Sequence, residues 1–250
     1  FGITARTAAF EPLFGNKNAQ FDPLKFNWVG NANIENSTCI AWHTAPVKKM
    51  QDLLTYELVS GGTGSDSLDV SMPKVLNKIA GTKFKLVLGY PGSREIGMAV
   101  DKQEIFGACG FAWPSISVTN SGWFGPNGSM RVLAQTHVRG HRELNENGVP
   151  NAMSFAKTDE QKKIFIFLAG NNSIARGLTA PPGVPADRVA ALRKAFDDMI
   201  KEGPFVADLQ KHGFPLNHKD WKGYAKMIEE LAKTPPEIIA MSEQILTKAR

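Results

Sequence analysis

Val59-Ser60-Gly61-Gly62-Thr63-Gly64-Ser65-Asp66-Ser67 is the stretch of the chain from which the remaining elements can be worked out. The residues just before it, 56–59, are typical of the end of a short strand. After it, apolar residues recur at helical spacing from Leu68 to Ile79. The stretch is therefore predicted to be a glycine-rich turn that joins a strand to a helix.

Such a turn suits an anion, because backbone N–H groups, the Thr63 and Ser65 hydroxyls and the positive end of a helix dipole converge there. Asp66 either caps the helix or competes with an anionic ligand. A phosphate-binding P-loop would carry a lysine after its last glycine, and Ser65-Asp66 stand there instead. A dinucleotide fingerprint is matched only in part, with Ser67 at its third small position. The alternative is a tight turn with a capped helix and no ligand.

Composition indicates an ordinary globular protein. The chain has 250 residues, of which 42% are hydrophobic and 21% charged. The longest apolar run, residues 164–169, has the length of a strand and falls well short of the ~20 residues that span a bilayer. The net charge is +5, but basic and acidic residues alternate along segments such as 188–201. This mixture favours a solvated surface over nucleic-acid binding.

Predicted strands alternate with predicted helices through the first half of the chain, which favours a mainly parallel sheet. In such sheets ligands bind beyond the carboxyl ends of the strands. Three strand-to-helix turns qualify, at residues 62–66, 90–94 and 111–115.

Signals for catalysis or metal binding are weak. No G-x-S-x-G or C-x-x-C motif occurs, and no pair of carboxylates stands out for acid–base chemistry. His137 and His141 have the spacing of helical zinc ligands, but Gly140 lies between them and no third ligand is evident. Cys39 and Cys109 lie in apolar, strand-like segments and allow either one disulfide or two buried thiols.

An ordered set of short motifs carries a family resemblance. They are Phe26-Asn27-Trp28-Val29-Gly30, Trp42-His43-Thr44-Ala45-Pro46-Val47-Lys48, Gly61-Gly62-Thr63-Gly64-Ser65, Gly89-Tyr90-Pro91-Gly92-Ser93-Arg94 and Ala180-Pro181-Pro182-Gly183-Val184-Pro185-Ala186-Asp187. Over nearly its whole length the chain resembles the extracytoplasmic solute-binding receptors of tripartite tricarboxylate transporters, the TctC or Bug family.

The resemblance implies an α/β, two-lobed periplasmic binding protein fold of type II, with mainly parallel sheets flanked by helices. Residues 1–39 would form part of the first lobe and residues 40–163 the inserted second lobe. Residues 164–250 would supply the return strand of the first lobe and the C-terminal helices. Family members begin with an upstream glycine-rich ligand loop, and Phe1 is expected to start beyond it, which leaves the first lobe N-terminally incomplete.

The function implied is that of a monomeric periplasmic receptor without a cofactor, a metal or an enzymatic activity. It would capture a small organic acid in the interlobe cleft and deliver it to membrane transporter subunits. The alternative is an enzyme on a doubly wound fold that uses the glycine-rich turn for a nucleotide or phosphate. Gly89-Tyr90-Pro91-Gly92 replaces the commoner Pro-Tyr-Lys-Gly of the family, which leaves the class of acid open.

The resemblance also assigns ligand-binding residues by position. The second-lobe turn and its flanks comprise Thr63, Gly64, Ser65, Asp66, Tyr90 and Trp113, and a first-lobe loop comprises Arg6 and Thr7. Trp113 could stack on an aromatic acid or only pack. Arg94 and Arg176 are added for their charge, with a surface role as the alternative. Because a periplasmic location permits oxidation, we also expect Cys39 and Cys109 to lie on nearby strands of the second lobe and to be bridged.

Overall fold

The computed structural model describes residues 1–4, 10–64, 67–137, 140–174, 176–212, 214 and 216–248. The chain forms two compact units. The first unit comprises Phe1–Glu35 and Gly170–Ile239, and the second comprises Asn36–Ala169 and Ala240–Arg250. No described helix is both long enough and apolar enough to span a membrane.

The strands, in chain order, are β1 (Gly2–Ile3), β2 (Asn27–Asn31), β3 (Ser37–Trp42), β4 (Leu58–Gly62), β5 (Phe84–Leu88), β6 (Gly107–Ala112), β7 (Met130–Gln135), β8 (Leu178–Ala180) and β9 (Lys219–Asp220). The helices are α1 (Leu68–Ala80), α2 (Ser93–Asp101), α3 (Trp113–Thr119), α4 (Arg142–Glu146), α5 (Asp159–Ser173), α6 (Ala186–Met199), α7 (Gly203–Lys211), α8 (Trp221–Ala232) and α9 (Pro236–Lys248).

The first unit is built on an antiparallel sheet with the strand order β1-β8-β2-β9. Strand β2 packs against α6 at Gly30, where an added Cβ atom would lie 2.4 Å from the Phe196 ring. On α8, Tyr224 is fully buried with its ring 4.8 Å from that of Trp28, and its hydroxyl donates to the carbonyl oxygen of Ile174 at 2.5 Å. Burial of this phenol raises its pKa far above the ordinary value.

The second unit contains a five-stranded sheet with the order β5-β4-β6-β3-β7. Strand β4 is parallel to β5 and β6, whereas β3 is antiparallel to β6 and β7. The predicted α/β architecture is confirmed, but the sheet of the second unit is mixed and that of the first is antiparallel, where the sequence analysis expected mainly parallel sheets. The parallel part is the β4-α1-β5-α2-β6 segment, in which helices return the chain to the start of the next strand. Strand β3 runs the other way.

Helix α1 occupies the centre of the second unit. Its side chains are buried on nearly every side, including the polar Asp69, Ser71 and Lys74. The Lys74 ammonium donates to the carbonyl oxygen of Leu246, near the end of α9, at 2.7 Å. A cation is favoured at the carboxyl end of a helix. This contact joins the end of α9 to α1 within the second unit.

The apolar run at residues 164–169, which has the length of a strand, is helical. It lies within α5, and of this run only Ile166 is exposed. Helix-forming and acidic residues precede the run at 159–163, so the helix begins before the apolar residues do. A short buried apolar run does not by itself distinguish a strand from a buried helix. The strand that returns to the first sheet is β8.

A disulfide joins Cys39 on β3 to Cys109 on β6, so the expected bridge between neighbouring strands is present. The two cysteines are separated by 70 residues. The bond therefore closes a loop that contains β4, α1, β5 and α2. In the chain-entropy account, closing a loop of that length in the unfolded state stabilises the fold by about 4 kcal/mol.

We predict that the denatured, unreduced protein shows no free thiol on titration. Reduction should lower the free energy of unfolding by about 4 kcal/mol, measured by urea denaturation with and without reductant. The double variant Cys39→Ser/Cys109→Ser is the control, since reductant should leave its unfolding curve unchanged. Two titratable thiols in the parent protein would contradict the bridge.

Candidate functional site

The candidate site lies at the carboxyl edge of the sheet in the second unit. Strands β4, β5 and β6 are parallel and so end at the same edge. Strands β6 and β7 are both antiparallel to β3, so β7 also ends there. The segments that follow these four strands begin at Thr63, Gly89, Trp113 and Thr136. Loops at this edge are the usual ligand-binding positions in α/β sheets.

The turn after β4 is held against the turn after β5 by backbone hydrogen bonds. The N–H groups of Gly89 and Tyr90 donate to the carbonyl oxygens of Thr63 and Gly62, at 3.4 and 3.3 Å. Tyr90 is half-buried against the apolar core. Thr63, Gly64 and Tyr90 are thus neighbours, as the sequence analysis expected of a shared ligand edge.

The glycines of the turn differ in what they do. An added Cβ atom at Gly62 would lie 2.6 Å from a Val70 methyl group, so this glycine lets helix α1 pack on β4. At Gly64 the same atom would meet nothing within 4 Å, and the residue is exposed. Gly62 therefore serves packing, whereas Gly64 borders open space.

The donors of Thr63 are occupied by a carboxylate of the chain itself. Asp69, in the first turn of α1, is only 9% exposed. Its Oδ1 accepts the Thr63 N–H at 3.2 Å, and the Thr63 hydroxyl lies 3.1 and 3.0 Å from Oδ1 and Oδ2. The Ser67 hydroxyl lies between Asp69 Oδ1 and the carbonyl oxygen of Gly64. The turn therefore already holds an anion, supplied from within.

Asp69 was not among the residues predicted for the site. An acidic residue in the first turn of a helix was visible in the sequence, and it suits the positive end of the helix dipole. The missing information was the direction of its side chain. Gly110 on β6 has a φ of +78° and lies so close to α1 that an added Cβ atom would be 2.6 Å from the Asp69 nitrogen. This close approach fixes the first turn of α1 beside the Thr63 donors.

Trp113 and Arg94 lie at the same edge with different exposure. Trp113 is 5% exposed, its ring packs edge-on against Phe124 with centroids 4.8 Å apart, and its Nε1–H donates to Glu143 at 2.8 Å. These contacts pack Trp113 into the apolar core of the second unit. Arg94 is exposed in the first turn of α2.

Gln135 organises the segment that follows β7. This fully buried side chain accepts hydrogen bonds at Oε1 from Asn36 Nδ2 at 2.7 Å and from the His141 N–H at 2.6 Å. Its Nε2 donates to Asn145 Oδ1 at 2.8 Å and to the carbonyl oxygen of Val149 at 2.9 Å. All four bonds of the amide are made, which ties the loop to the sheet.

His141 adds no fixed charge to this loop near neutral pH. Burial lowers its pKa from the ordinary 6.5, against the opposing effect of Glu143. Its Nδ1 atom is enclosed and has no partner among the described residues. In the described parts of the chain, no group of three metal-ligating side chains occurs.

The remaining predicted residues lie elsewhere. Arg176 belongs to the first unit, where its Nε donates to Glu35 at 3.0 Å while its side chain stays 67% exposed. An ion pair with so exposed a partner contributes little stability. Arg6, Thr7, Ser65 and Asp66 lie outside the described residues.

The two α/β units, formed by a chain that leaves the first unit and later returns to it, have the fold of a periplasmic binding protein. Among solved structures, the chain is similar to a TctC solute-binding protein from Polaromonas, with 14% identity, coverage of 98% of this chain and 77% of that one, and a TM-score of 0.64. It is also similar to MatC from Rhodopseudomonas palustris with bound malate, with 16% identity, 97% and 75% coverage, and a TM-score of 0.61.

A third similar structure is Rpa4515 of R. palustris with adipate, at 17% identity, 92% and 70% coverage, and a TM-score of 0.59. No family model and no curated protein matches the chain. The predicted resemblance to TctC and Bug receptors is thus confirmed at the level of the fold.

We predict that Thr63→Val lowers the free energy of unfolding by about 1.5–3 kcal/mol, because the buried Asp69 carboxylate loses a hydroxyl donor. Thr63→Ser keeps the hydroxyl and is the matched control. Urea denaturation of both variants and the parent measures the difference. Equal losses in the two variants would show that the hydroxyl does not matter.

Proposed function

We propose that the protein is a periplasmic solute-binding receptor. It captures a small organic acid and, as a monomer, delivers it to membrane transporter subunits. The observation that carries this proposal is the likeness of 97% of the chain to MatC, a structure with bound malate. The likeness to a second structure that holds adipate supports the same chemical class.

Within the second unit, we assign the ligand-binding role to Thr63, Gly64 and Tyr90, with Ser65 and Asp66 between them in the chain. Arg6, Thr7, Arg94 and Arg176 stay in the proposal as sources of donors and positive charge. Trp113 packs in the core beneath this edge of the sheet and is held there by its hydrogen bond to Glu143. The ligand shifts the protein toward the conformation that it binds best, which is the form that a transporter could recognise.

An enzyme that holds a nucleotide or phosphate at the turn is disfavoured by the site. The Asp69 carboxylate stands beside the Thr63 donors. A phosphate bound there would carry about two negative charges and would be repelled by this carboxylate. Two of the structures similar to the chain are described as binding proteins, a TctC solute-binding protein and the periplasmic binding protein BugD. The function proposed is therefore binding without chemistry.

A thermal-shift screen tests this function. We expect malate, adipate or a related acid to raise the melting temperature by about 5–10 °C at a concentration near 100 times its Kd. Adenine and guanine nucleotides at the same ionic strength serve as the comparison and should leave it unchanged. A response to nucleotides alone would overturn the receptor and favour the enzyme.

Gly64 offers a test of where the acid binds. Because a side chain there meets open space, Gly64→Phe should fold normally yet obstruct the site and weaken acid binding by roughly tenfold or more. Gly64→Ala is the matched control and should bind like the parent protein. Calorimetric titration measures both affinities. Unimpaired binding by Gly64→Phe, with an unchanged melting temperature, would place the ligand away from this turn.

A further inference from the structure

A ligand that reaches the turn after β4 meets a negative charge. The Asp69 carboxylate is buried there, and the Thr63 N–H, the Thr63 hydroxyl and the Ser67 hydroxyl all point to it. These are three of the donors that would otherwise form hydrogen bonds to a ligand carboxylate. A carboxylate placed at Thr63 would therefore find the donors in use and a like charge beside it.

The same carboxylate has acceptor capacity left. Its Oδ1 meets Thr63 N, Thr63 Oγ1 and Ser67 Oγ, whereas among the described residues Oδ2 meets only Thr63 Oγ1. The single Thr63 hydroxyl proton serves one of the two oxygens at a time. Since a carboxylate oxygen can accept two hydrogen bonds, the contacts of the described residues leave Oδ2 with capacity for another donor.

We propose that Asp69 determines the specificity of the receptor by selecting the chemical group of the ligand that binds at this turn. The ligand is an organic acid with a carboxylate at one end. Its opposite end lies at the turn and carries a hydroxyl or ammonium group instead of a second carboxylate. This inference rests on the proposed function and narrows its substrate class to hydroxy acids and amino acids. Two effects separate these ligands from dicarboxylates. A hydroxyl or ammonium group gains a charge-assisted hydrogen bond to Asp69, and a second carboxylate is repelled by it.

Matched acids of equal length provide the test. Adipate, 6-hydroxyhexanoate and 6-aminohexanoate form one series, and succinate, 4-hydroxybutyrate and 4-aminobutyrate form a shorter one. Calorimetric titration of the parent protein should show that the hydroxy or amino acid binds about tenfold more tightly than the dicarboxylate of the same length. This comparison does not depend on the folding of any variant.

Asp69→Asn should then remove this preference. Without the negative charge, the dicarboxylate should gain about tenfold relative to its hydroxy and amino partners. Asp52→Asn is the control with the same charge change, because Asp52 accepts the backbone N–H groups of Lys48 and Lys49 before β4, at the opposite edge of the sheet. It should leave the order of the parent unchanged.

The outcomes separate this inference from the proposed function. Tighter binding of the dicarboxylate by the parent, or an undiminished preference for the hydroxy and amino acids in Asp69→Asn, would overturn the role of Asp69 and leave the receptor function intact. No binding of any acid to the parent or to either variant would overturn both.

Discussion

Helix α1 lies so close to strands β4 and β6 that only glycine fits at two of its contacts, and the arrangement of the second unit depends on this packing. A side chain at Gly62 would collide with Val70, and one at Gly110 would collide with the backbone of Asp69. The close approach places the first turn of α1 directly beside the end of β4. The Asp69 carboxylate can then reach the Thr63 donors, and the turn closes on an internal anion.

Much of the second unit could be predicted because local signals agree with the final packing. Helix α1 begins at Leu68, where the helical spacing of apolar residues begins, and it is capped after Ala80 by Gly81, which has a φ of +75°. The helical character of residues 164–169 could not be predicted in the same way. Their apolar side chains are buried in a helix on nearly all sides, and full burial removes the periodicity that identifies a helix.

The sequence predicted that several strand-to-helix turns share one edge of a sheet, but it did not predict the contacts made there. The family resemblance assigned Thr63, Gly64 and Tyr90 to the site. Their turns lie at one edge because parallel strands bring their carboxyl ends together. The role of Asp69 depends on which way one side chain turns, and the role of Trp113 depends on its bond to Glu143, thirty residues away. Contacts of that kind are set by tertiary packing, and no spacing in the sequence records them.

The bond between Cys39 and Cys109 also bears on the order in which the fold can assemble. The pairing of β3 with β6 joins residues far apart in the chain, and closing so long a segment carries an entropic penalty that slows folding. Once the two sulfur atoms are linked, those strands become near neighbours along the covalent path. The effective contact order of the second unit falls, so that β4, α1, β5 and α2 can form inside a segment whose ends are already joined.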